Sequence, residues 1–167
     1  ANHKDKYKSI LSRFPLRHKS EVAFDSKGWK PASVVTARTN IKGVPLTLYS
    51  THIPGQPDIE NSAASFISKK MLSDPHDDNL FVLGDFNNLL FEGALKAFKE
   101  AGMKSIWHGL SINTDSISTH RHIESGNESG VIDHIFYRSP KIKVKVTNGG
   151  VIEKAYNSAE EEIEMDR

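Results

Sequence analysis

The sequence predicts an α/β protein in which packed β-sheets carry helices on their outer faces. Two observations lead there. Segments with helical periodicity alternate with β-rich apolar runs in the order strand, helix, strand, helix. The β-rich runs are also more numerous than a simple alternating fold needs, and the surplus calls for sheets packed on one another. The 167 residues fit one domain, or a large piece of one, and a chain of that size buries roughly 70% of its unfolded surface. No internal repeat, low-complexity tract or second domain is visible, so residues 1–167 read as a single domain.

The first segment, KSILSRFPL (residues 8–16), reads as a short strand ending in a turn, because Pro15 disfavours helical geometry at Phe14. ASVVTARTN and VPLTLYSTH are rich in Val, Thr, Leu and Tyr and flank Lys42 and Gly43, which predicts a hairpin. From Asp58 to about Leu72, Ile59, Ala63, Phe66, Ile67 and Met71 recur at helical spacing, with Asp58 after Pro57 as the N-cap candidate. NLFVLGDF is a strand. FEGALKAFKEAG is a second amphipathic helix, with Phe91, Ala94, Leu95 and Phe98 on one face and Gly102 as its stop.

Residues 109–130, rich in Ser, Asn, Thr, Gly and His, form a long surface loop. GVIDHIFY is another strand, and KIKVKV alternates Lys with Ile and Val as an edge strand with one wet face does. The acidic end, NSAEEEIEMDR, closes no element and reads as frayed or cut.

Charge and composition exclude some classes. The 22 Lys and Arg nearly balance 21 Asp and Glu, so no global field draws the chain to nucleic acid or membrane. No apolar run reaches the roughly 20 residues of a membrane span, and the charged start is not a signal-peptide pattern. A soluble protein, cytoplasmic or secreted, fits both facts. With no cysteine there is no disulfide, thiol nucleophile or thiolate metal site.

Three strands deliver polar groups where packing does not ask for them. His52 ends LTLYSTH, Asp85 and Asn87 end FVLGDFN, and Asp133 sits between Ile132 and His134 in GVIDHIFY. Each has an ordinary use: His52 in a loop, Asp85 opening a turn, Asn87 capping the next helix, Asp133 bonding its own sheet. Together they suit phosphoester hydrolysis, which needs an orienter for water, a cation and donors to phosphate oxygens. Asp85 can orient water or hold a hard cation, Asn87 can offer its amide to phosphate or its carbonyl to metal, and His52 can donate to a developing negative oxygen. His120 and His122 share a face of an extended segment, yet no third ligand stands at metal-site spacing. His76 reads as a loop residue, and Trp29 with Lys27 or Lys30 as packing rather than a base-stacking platform.

STHIPG, VLGDFNN and GVIDHIFY, in that order and at these separations, resemble the endonuclease/exonuclease/phosphatase superfamily, and ILSRFPL extends the likeness over residues 8–138. The resemblance implies a four-layer α/β sandwich, two sheets with helices outside, of which this chain covers roughly the C-terminal half to two-thirds. It implies a Mg2+- or Mn2+-dependent phosphoesterase using water directly, with phosphoesters of nucleic acids, small molecules or lipid head groups as substrates. By position, His52 matches a phosphate-contacting histidine, Asp85 the aspartate that positions water, and Asn87 the phosphate-binding asparagine beside the metal, so Asp85 and Asn87 are the metal candidates. Asp133 matches a carboxylate that orients a later histidine; His134 stands where an aromatic is common and is assigned to packing.

The family also carries an Asn and a metal-binding Glu before the ILSRFPL-like strand and a closing Ser-Asp-His, neither of which is in these 167 residues. The rival expectation is therefore a non-catalytic relative or fragment that keeps the sheet as a binding surface.

Overall fold

The computed structural model describes residues 8–24, 32–74, 79–120, 130–151, 155–156 and 162–163. Lys27, Trp29, Lys30, His76, His122 and most of the acidic end lie outside the described residues. The expected α/β class is what these residues form. Its centre is a six-stranded mixed sheet in the order β1 (Arg17–Phe24), β2 (Ala32–Ile41), β3 (Val44–His52), β4 (Leu80–Asp85), β6 (Asp133–Arg138) and β5 (Lys104–Ser105), accompanied by a two-stranded ribbon of β7 (Ala155–Tyr156) and β8 (Glu162–Ile163).

The hairpin forms as its composition predicts. β2 (Ala32–Ile41) and β3 (Val44–His52) pair antiparallel around Lys42 and Gly43, both at positive φ. A parallel neighbour needs a crossover, which α1 (Pro57–Leu72) supplies before β4 (Leu80–Asp85) lies down beside β3. Ala63, Ala64, Ile67 and Met71 of α1 are buried against one face of the sheet, where Tyr49, Leu80, Val82 and Phe136 meet them. Each large apolar side chain among them, such as Ile67, Met71 or Phe136, contributes about 1.5–3 kcal/mol. The helix starts at Pro57 with Gln56 as its cap, two residues before the expected Asp58, because proline suits the first helical residue.

After β4 comes a short 3-10 turn (Gly93–Leu95) running into α2 (Lys96–Glu100), then β5 (Lys104–Ser105) and α3 (Ile106–Gly109). The second helix is shorter than its periodicity suggests because Phe91 and Gly93 both hold positive φ and delay its start. The buried face is nevertheless the expected one, with Ala94, Leu95 and Phe98 in the core and Gly102 at φ +73 behind it. β6 (Asp133–Arg138) then inserts between β4 and β5, antiparallel to both. The ribbon pairs β7 (Ala155–Tyr156) with β8 (Glu162–Ile163).

Two sequence expectations are corrected. KSILSRFPL is irregular, with the Phe14 amide donating to Ser12 Oγ, and the strand begins only after Pro15, as β1 (Arg17–Phe24). β1 is an edge strand paired to β2 alone, and its charged residues hide the alternation that marks interior strands. KIKVKV is not a strand either. Both edges of the preceding β6 are already taken by β4 and β5, so the segment beyond it has no free edge there. Its alternation survives as burial only in the second half, with Val144 and Val146 half-buried and Lys143 and Lys145 exposed, while Ile142 is exposed too.

Gly84 explains how β3 and β4 approach. A Cβ built on it would lie 1.8 Å from the Thr51 carbonyl oxygen, so only glycine fits opposite that residue. At the other end of the sheet, Asp74, just past α1, accepts from Tyr49 Oη and Arg38 Nη2, both at 2.9 Å, and ties the helix end to the hairpin.

Candidate active site

The register of the sheet assembles the site. His52 pairs with Asp85 across the parallel β3 and β4, and Asp85 pairs with Asp133 across the antiparallel β4 and β6. Cross-strand partners share a face, so three residues from three strands form one row at one end of the sheet. The strands are held there by two further ladder bonds, Ile53 N–H to Asp85 O and Phe86 N–H to Ile132 O, both 2.9 Å.

Asn87 closes the row. Its backbone amide donates to Asp85 Oδ1 at 2.8 Å, and its side-chain amide donates to Ile53 O at 2.8 Å and to His52 Nε2 at 3.1 Å. His52 must then present an unprotonated Nε2 to Asn87, while Asp85 Oδ2 lies 3.6 Å from the same nitrogen. Both hydrogens of the Asn87 amide are engaged, and its oxygen is the atom left for a cation or a polar donor. The residue holds φ +48, which asparagine tolerates better than most. Gly55 of STHIPG backs it: a Cβ there would come within 3.3 Å of the Asn87 side chain.

Burial raises the Asp85 carboxyl above its ordinary range, and the charge of Asp133 pushes the same way. The Asn87 amide, His52 and His120 pull it back. A half-buried carboxylate held up in this way is a better proton acceptor than a surface one. The Asp85 carboxylate and the Asn87 side-chain oxygen are donors of the kind hard divalent ions prefer. Among the described residues no three His, Asp or Glu side chains converge on one point.

Some contributors were not singled out from the sequence. Thr119 Oγ1 accepts from the amides of both Ile132 and Asp133, at 3.1 and 3.0 Å, and fixes the start of β6. Trp107 Nε1 donates to the Asp133 carbonyl at 3.4 Å. Both come from the Ser- and His-rich region or its border, where no periodicity signals a contact. His120, weighed above as a metal ligand with His122, is half-buried and near enough to Asp85 to affect its charge. His134 points to the opposite face and is only 2% exposed, packed on Phe86 and Phe136.

The profile of the Endonuclease/Exonuclease/phosphatase family matches residues 6–153. No curated protein sequence matches the chain. Among solved structures, a family protein from Leptotrichia buccalis superposes with a TM-score of 0.61 at 19% identity, covering 80% of this chain and 54% of its own. A mannosyl-6-phosphatase from Bacteroides thetaiotaomicron gives 0.59 at 18%, covering 89% and 62%. TDP2 from D. rerio, complexed with a single-strand DNA product, gives 0.56 at 17%, covering 75% and 54%. The chain thus spans little more than half the length of the structures it resembles.

Proposed function

The chain belongs to the Endonuclease/Exonuclease/phosphatase family, and from that membership we propose that it is part of a divalent-metal-dependent phosphoesterase. The observation that carries the reading is the single row of His52, Asp85 and Asp133, closed by Asn87. Residues 1–167 would then be one partial domain of the four-layer sandwich type.

In this reading Asp85 accepts a proton from the water that attacks phosphorus, helped by the burial that raises its pKa. His52, whose Nε2 meets the Asn87 amide at 3.1 Å, stands where it would contact a non-bridging phosphate oxygen as charge develops. Asn87 would offer its amide to phosphate or its side-chain oxygen to the cation. Asp133 accepts from a histidine outside the row, the role that the family resemblance gives it.

Asp85 and Asn87 would hold Mg2+ or Mn2+ through oxygen, and the ion would supply charge neutralisation at phosphate. The remaining coordination positions are left to water, substrate or further residues.

The relatives named above act on or bind very different phosphate esters, a phosphorylated sugar in one case and single-stranded DNA in another. We therefore assign the shared chemistry, a phosphoester, and rank duplex nucleic acid low because the net charge is only +1. No described helix is long and apolar enough to cross a membrane.

A binding module without turnover is the second reading, favoured by the lack of a three-ligand cluster among the described residues. Hydrolysis of p-nitrophenyl phosphate and bis(p-nitrophenyl) phosphate, with Mg2+ and with EDTA, separates the two. Metal-dependent turnover supports the enzyme. Metal-dependent thermal protection without turnover supports the binding module.

A further inference from the structure

His134 is a histidine in a place that packing alone does not require. It is 2% exposed, on the core face of β6, with its ring centroid 5.9 Å from that of Phe86 and 5.3 Å from that of Phe136. Its Nε2 donates to the Asn88 carbonyl at 2.8 Å. Its Nδ1 is buried with no hydrogen-bond partner among the described residues. An orphaned acceptor of this kind costs about 1–3 kcal/mol, so a phenylalanine would serve the core better unless the Nε2 donor has a use.

The carbonyl it holds belongs to the turn that carries Asn87. Asn88 bonds back to Phe86 O through Nδ2 at 3.1 Å and accepts from the Ala94 amide at 3.3 Å, so the turn is closed on both sides. Asn87, one residue before, keeps its φ of +48 and aims its amide at His52. His134 pairs across β4 and β6 with Gly84, the residue just before Asp85. Successive strand residues point to opposite faces, so β6 presents Asp133 to the row and His134 to the turn behind it.

We propose that His134 is a positioning residue: its Nε2–H bond to the Asn88 carbonyl sets the turn that holds Asn87 against His52. The inference rests on the proposed role of Asn87 for its effect on turnover, but not for the geometry itself.

The test compares wild type with His134→Phe, which keeps an aromatic ring without a donor, and His134→Gln, which keeps a donor without the ring. In the full chain, the Asn87 side-chain amide is followed by NMR, and bis(p-nitrophenyl) phosphate hydrolysis is measured with Mg2+. We expect the Phe variant to lose the distinct, slowly exchanging Asn87 amide signals and to fall about 10- to 100-fold in kcat with KM little changed, as usual for groups that orient ligands from behind. Gln restores part of both. Unchanged amide signals in a folded Phe variant overturn the proposal, as does equal loss in the two variants.

If the wild type hydrolyses nothing, the phosphoesterase reading fails and the amide signals alone decide the inference. If neither variant folds, the wild type decides it: 15N NMR must find the His134 proton on Nε2, and a proton on Nδ1 refutes the bond.

Discussion

His52 and Asp85 stand directly opposite each other across a parallel strand pair, with Nε2 3.6 Å from Oδ2, and Asn87 bonds to both. The pair exists because β3 and β4 run to the same end of the sheet, which the crossover through α1 imposes. Everything proposed about chemistry follows from that end of the sheet, and the following outcomes are expected.

Asp85→Asn should stabilise the protein near neutral pH when EDTA removes divalent ions. The folded state raises the Asp85 pKa through burial, so the ionised form is the disfavoured one. Wild-type stability is then greatest below the unfolded value of 3.8 for this group and declines as pH rises through the folded pKa. The variant lacks that decline. Thermal melts from pH 4 to pH 8 in EDTA check the sign, and a less stable variant at pH 7 would show that the carboxylate is net favourable.

Stability should also fall on the acid side because of His134, whose pKa burial lowers. The unfolded chain binds that proton from its ordinary value of 6.5 downward while the folded one resists, so stability present above 6.5 is lost as pH falls toward the folded pKa. One proton gives a slope of at most about 1.4 kcal/mol per pH unit. Urea unfolding at several pH values between 7.5 and 5 should show a smaller slope for His134→Phe than for wild type.

Gly84→Ala should be among the most damaging single changes. The added Cβ would sit 1.8 Å from the Thr51 carbonyl oxygen, and backbone cannot step aside as a side chain can. A loss above about 3 kcal/mol, read by urea unfolding, is the expected scale for strain of this kind. Gly43→Ala meets no atom within 4 Å and faces only its φ of +87, so it should cost less.

Thr119→Val should loosen the start of β6, since two backbone amides lose their common acceptor. An unpaired buried amide costs about 1–3 kcal/mol. Thr119→Ser keeps the hydroxyl and should retain most of the stability. Faster hydrogen exchange at Ile132 and Asp133 in the Val variant alone is the diagnostic reading.

Interior elements were the legible ones. The β2–β3 hairpin, α1 and β4 announce themselves through Val, Thr and Leu content, helical spacing and glycine punctuation, because each buries a face against α1 or the sheet. β1 escaped because an edge strand with Arg17, His18, Lys19 and Glu21 has no wet-and-dry alternation to display. KIKVKV displayed that alternation and still formed no strand, because pairing depends on a free edge that local sequence does not encode.

In the site, His52, Asp85, Asn87 and Asp133 could be named because they break the apolar pattern at strand ends. Their common row could not be read from spacing alone, since it depends on β6 inserting beside β4. Neither Thr119 nor Trp107 could be named individually, as each acts through backbone atoms of Asp133 or its neighbour.

The most direct test of the central proposal is turnover of bis(p-nitrophenyl) phosphate by the full protein, wild type against Asp85→Ala, with Mg2+ and with EDTA. The account predicts Mg2+-dependent hydrolysis by wild type and a loss of more than about 100-fold in a variant that melts as a folded protein. Hydrolysis that survives Asp85→Ala, or that is indifferent to EDTA, would contradict it.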